Sequence, residues 1–133
     1  MSDLVSDLTP TGASGPRGDA GGAMLAIANA VVRIHKRYFG KGPTRARAHQ
    51  HGDVITCVLR DCFTRAEQTL LERGQEDAVH EHRQRLQHVV RDEFSAAIEE
   101  ITGRRVIGFF SGSQTDPDMS AVVFVLAASD DDA

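Results

Sequence analysis

Thr44-Arg45-Ala46-Arg47-Ala48-His49-Gln50-His51-Gly52-Asp53-Val54-Ile55-Thr56-Cys57-Val58-Leu59 holds two unlike strand patterns on either side of a turn. The first half alternates small apolar residues, Ala46 and Ala48, with Arg45, Arg47 and His49. Side chains on a strand point alternately to opposite faces, so this is a half-buried strand with a basic outer face. His51-Gly52-Asp53 supplies the turn. Val54 to Leu59 is nearly continuously apolar and β-branched, as an inner strand requires. The two are expected to form an antiparallel hairpin.

Upstream, Gly22 to Phe39 has helical periodicity. Met24, Ile27, Ala28, Val31, Ile34 and Tyr38 share one face, and Arg33, His35, Lys36 and Arg37 fall in the last turns, where cations favour the helix dipole. Gly40-Lys41-Gly42-Pro43 stops it, because proline cannot continue the ladder. Downstream, Thr64-Arg65-Ala66-Glu67 has capping-box spacing and opens a short helix through Leu70 and Leu71 that ends near Gly74. A long helix is expected from Glu76 to Thr102, with the stripe Val79, Leu86, Val90, Phe94, Ala97, Ile98 and Ile101, and with Gly103 as its stop. Strands are expected at Val106 to Phe110 and Met119 to Ala127, joined by the turn-forming run Ser111 to Asp118. The order α-β-β-α-α-β-β predicts an α+β fold, a four-stranded antiparallel or mixed sheet with helices packed on one face.

The chain has 133 residues, about one domain's worth. Residues 1–20, rich in Gly, Ser, Asp and Pro, are expected to form a disordered tail, residues 21–128 the domain, and residues 129–133 an acidic tail with Asp130, Asp131 and Asp132. The formal net charge of −4 argues against a nucleic-acid binder, which usually carries a basic excess. No secretory signal is read in residues 1–20, and the run Ala121 to Ala128 is too short to span a bilayer, so a cytoplasmic location without membrane insertion is expected. Cys57 and Cys62 lack CxxC spacing and are expected as reduced thiols.

Gly40-Lys41-Gly42-Pro43-Thr44 offers amides and a lysine to an anion, yet it lacks P-loop spacing and precedes a strand, so a rigid turn is the stronger reading. His49 and His51 share a strand face and make the one metal candidate, with a third ligand to come from Asp53 or from the long helix; His80 and His82 on that helix point to different faces. Surface histidines are the commoner outcome, and no cofactor or metal is expected. Cys57 sits in the inner strand, whereas Cys62 precedes a helix N-terminus and is the more reactive candidate thiol. No general base is identified beside it, and no catalytic set can be assembled. The basic residues Lys41, Arg45, Arg47, His49 and Arg37 form the candidate partner- or anion-binding surface, suited to a lipid headgroup, a nucleic-acid backbone or an acidic protein. The element order also resembles one form of the KH RNA-binding domain. The turn at the clamp position, Arg73-Gly74-Gln75-Glu76-Asp77, has one glycine and two acids in place of GXXG, which argues against RNA.

Several of these motifs occur together in one known family. A helix ending Tyr38-Phe39-Gly40-Lys41-Gly42-Pro43-Thr44 is followed by Phe63-Thr64-Arg65-Ala66-Glu67-Gln68-Thr69-Leu70-Leu71, a helix through His82-Arg83, Glu99-Glu100-Ile101-Thr102-Gly103-Arg104-Arg105-Val106 and a last strand Val122 to Leu126. Over about residues 22–127 the chain resembles the MpsC-like family of small bacterial domains, named for a sodium-translocating membrane-potential-generating system. Phe63 departs from the leucine expected there. The resemblance implies a non-catalytic accessory or regulatory domain beside a membrane ion or inorganic-carbon transport system, peripheral to the inner membrane face, with a transporter subunit as partner. It carries over no catalytic residues. A homodimer is also expected, because the apolar content of Val54 to Leu59 and Val122 to Leu126 exceeds what one helical layer covers.

Overall fold

The computed structural model describes residues 17–128. Most of the expected N-terminal tail (1–16) and the acidic tail (129–133) lie outside the described residues. The first helix, α1 (Arg17–Phe39), begins four residues before the expected domain start. It is followed by β1 (Arg45–His51), β2 (Val54–Arg60), α2 (Arg65–Glu72), α3 (Glu76–Val89), α4 (Arg91–Thr102), β3 (Val106–Thr115) and β4 (Asp118–Leu126). The four strands form one sheet in the order β1-β2-β4-β3, every neighbouring pair antiparallel. Helices cover one face.

Alternation decides what that face contains. Ala48, Ile55, Cys57, Leu59, Val122, Phe124 and Leu126 point inward and meet Ile27 and Val31 of α1 and Phe94 and Ile98 of α4 in one buried cluster. Phe109 stacks on Phe94 at 5.8 Å and leans on Phe124 at 5.4 Å, which fastens β3 to the same core. Thr64 caps α2 with both halves of the expected capping box, and Gly103 ends α4 in the left-handed region at φ 74°.

Two expectations about the second half are corrected. The single helix expected from Glu76 to Thr102 is two helices that break at Val90 (φ −96°, ψ 10°). A straight helix over that span would run about 40 Å, longer than the roughly 33 Å of a ten-residue strand. The break lets α3 lie along β3 while α4 turns onto α1, and Val90 is itself 3% exposed. The run Ser111 to Thr115, expected as a turn, continues β3. Its poor strand formers are held by the β4 ladder and by α3, through Ser111–Gln84 (3.4 Å), Ser113–His80 (3.0 Å) and Thr115–Glu76 (3.2 Å).

Candidate functional site

Among the described residues no helix lies over the sheet's other face. Its rows follow from the register: His49, Thr56, Val123 and Phe110 lie across the strands in one row, and Arg47, Val58, Ala121 and Gly112 in the next. The row after that is Arg45, Arg60, Met119 and Gln114. The face is therefore basic along β1, β-branched and apolar through β2 and β4, and aromatic at Phe110, which is 62% exposed.

Two features of this face are unfavourable for an isolated fold. Arg45 and Arg60 are direct cross-strand partners, and like charges placed so destabilise a ladder. The Nε2 of His49 and the Nε of Arg60 are buried without a hydrogen-bond partner among the described residues. Burial holds the His49 imidazole below its ordinary value, with Arg47 adding to the effect, so His49 is a neutral ring that can accept or donate one bond at Nε2.

The five expected surface residues do not all meet. Arg45, Arg47 and His49 share the open face. Lys41 sits at the end of the sheet, its Nζ donating to the Asp61 carbonyl at 2.5 Å, while Thr44 Oγ1 donates to the Asp61 carboxylate. Arg37 belongs to α1 in the helical layer, with its guanidinium 5.4 Å above the Tyr38 ring. Arg60 joins the basic row unforeseen; counting back from the Gly52 turn would have placed it opposite Arg45.

A second cluster of charge is buried. Arg83 is 2% exposed and lies between the rings of Phe39 and Phe63, at 5.0 and 4.7 Å. It donates to both Glu67 oxygens (3.0 and 2.7 Å) and to the Cys62 carbonyl (2.6 Å). His35 Nδ1 donates to the Lys41 carbonyl at 2.7 Å, which leaves Nε2 to accept from Arg83 Nη1 at 3.4 Å. Burial, with Arg83 beside it, lowers the His35 pKa to about 4. Burial alone would raise the Glu67 carboxyl, but hydrogen bonds from Arg83 and Thr64 outweigh it and hold it below its ordinary value. This network ties α1, α2, α3 and the residue before α2 together, and it consumes its own donors.

The reactive-thiol expectation for Cys62 is corrected. The side chain is fully buried, and burial pushes its pKa up to about 11; Cys57 is pushed to about 12. Cys62 and Phe63 amides donate instead to the Asp118 carboxylate at 2.8 and 2.9 Å. No group of three or more His, Cys, Asp or Glu arranged for a metal occurs among the described residues, and Asp53, the candidate third ligand, pairs with Arg104 at 2.6 Å. The turn at the KH clamp position closes on its own helix, with the Gln75 amide bonded to the Leu70 carbonyl at 2.8 Å. A cleft of about 440 Å³ lies between α4 and β3, where Glu99 already accepts from the Val106 amide at 2.9 Å. No helix among the described residues is long and apolar enough to cross a membrane.

A family model described as "Na+-translocating membrane potential-generating system (MpsC)" matches residues 23–128. No curated protein and no solved structure matches the chain.

Proposed function

The chain belongs to the MpsC family, and from that premise we propose that it is a non-catalytic accessory or regulatory domain of a membrane ion or inorganic-carbon transport system. It acts at the inner membrane face by docking its open sheet face on an acidic, partly apolar surface of a transporter subunit. The observation that carries this reading is the Arg45–Arg60 pair on an uncovered face. Two arginines paired directly across the strands weaken the hairpin, and a carboxylate supplied between them reverses the sign. The valine rows beside them supply the apolar area that a purely ionic contact would lack.

Capture of the tagged chain from its native cells, with membrane and soluble fractions analysed separately by mass spectrometry, tests the reading. Enrichment of an ion-transport subunit in the membrane fraction is the expected result. Recovery of RNA-bound proteins alone, or binding to protein-free anionic vesicles with no subunit captured, would overturn it.

A further inference from the structure

The sheet has two edges of opposite character. The β1 edge carries Arg45, Arg47, His49 and His51, and charged edges discourage strand-to-strand pairing. The β3 edge runs ten residues, Val106-Ile107-Gly108-Phe109-Phe110-Ser111-Gly112-Ser113-Gln114-Thr115, without a charge or a proline. Among the described residues it pairs with β4 on one side only. Ile107 and Phe110 on it are 59% and 62% exposed, two large apolar side chains left in solvent on one strand. The Ser111 and Thr115 hydroxyls donate to Gln84 and Glu76 of α3 and Ser113 bonds His80, which holds the strand from the covered face; among the described residues its outward ladder is open.

We propose that two copies of this chain pair through their β3 edges, antiparallel about Ser111, to make one continuous sheet. The strand is complementary to itself in that register. Directly opposite residues of an antiparallel pair share a face, so centring the axis on Ser111 sets Phe110 of each copy against the partner's Gly112. Phe110 and Gly112 both lie on the open face, paired with Val123 and Ala121 of β4. The space where a Gly112 Cβ would stand is empty to 4 Å, so an incoming ring meets no obstacle there. The contact is made twice, as a two-fold interface requires. The ends also differ in charge: Arg105 precedes the strand and Asp116 follows it, so antiparallel pairing brings the basic end of each strand toward the acidic end of the other. A β1–β1 pairing would instead set like charges together. This pairing goes beyond the docking described above and doubles the basic row without using it.

Sedimentation of the full chain at tens of micromolar reads the result. The wild type is expected to be a dimer, and Phe110→Asp is expected to weaken self-association more than about 30-fold, the scale of an interface hot spot. Ser111→Cys fixes the register independently: the two 111 positions face each other within about 5 Å, so mild oxidation gives a covalent dimer, whereas Ser113→Cys, opposite position 109, does not. The buried native thiols stay out of the reaction. A monomeric wild type, a dimer indifferent to Phe110→Asp, or equal cross-linking at 111 and 113 would overturn the pairing. None of these outcomes bears on capture of a transporter subunit, which is read separately.

Discussion

Arginine is used in two opposite ways in this molecule. Arg83 is buried between two aromatic rings with its donors directed at Glu67, the Cys62 carbonyl and His35. Arg45 and Arg60 stand opposite each other on the face no helix covers. The first arrangement satisfies a charge inside the chain. The second leaves charge to be satisfied from outside it. Burial of an ion by itself says little about function, since a buried pair is weak evidence even for net stability. A like-charge pair on a face that no described helix covers is the more informative arrangement.

The comparison breaks most visibly at Arg83. Arg83→Met leaves the Glu67 carboxylate buried without its partner and should cost about 3–5 kcal/mol in urea unfolding. Adding Glu67→Gln should recover part of that loss, because the uncompensated charge goes too. Near-additive single losses would show that Arg83 acts by packing between Phe39 and Phe63 alone.

Acid should act on the same network. Folded His35 stays neutral down to about pH 4, whereas the unfolded imidazole takes a proton near 6.5. The unfolded state then binds more protons across that window, so stability is full above pH 6.5 and falls toward pH 4. The loss should reach about 3 kcal/mol, and His35→Gln should flatten the profile over that range. Glu67, held low, adds a further loss as pH falls through its own lowered value. A smaller effect is expected at the cap: Thr64→Ala removes the bond to the Glu67 amide and should lower stability by about 1 kcal/mol.

How much of this could be read from the chain itself differs between its two halves. The hairpin, its basic outer row and the Thr64–Glu67 box were legible because each is a local rule: alternation, a glycine turn, a hydroxyl three residues before a glutamate. The Val90 break was not, since Val89-Val90-Arg91-Asp92 contains no glycine or proline and the apolar stripe runs through it. What bends the chain there is the length of the sheet it must cover. His35 read as one of the cations of a helix's last turns and Arg83 as part of a motif; Phe63 and Glu67, brought from elsewhere in the chain, bury them together with Phe39. Cys62 misled for a related reason. Its place before a helix N-terminus argued for a lowered pKa, and full burial in the core decided the opposite. Ser111 to Thr115 has turn-former composition, which the β4 ladder and the hydrogen bonds with α3 override. Sites built from neighbours in sequence were visible, and sites assembled by tertiary contact were not.

The most direct test of the claim that the open face serves a partner is Arg45→Glu, measured for both stability and capture. The substitution turns a like-charge cross-strand pair with Arg60 into an opposite-charge one, so unfolding should become harder by about 0.2–1 kcal/mol. Capture of the membrane subunit should fall sharply in the same protein. A variant that is more stable and still captures the subunit as well as the wild type would contradict the account.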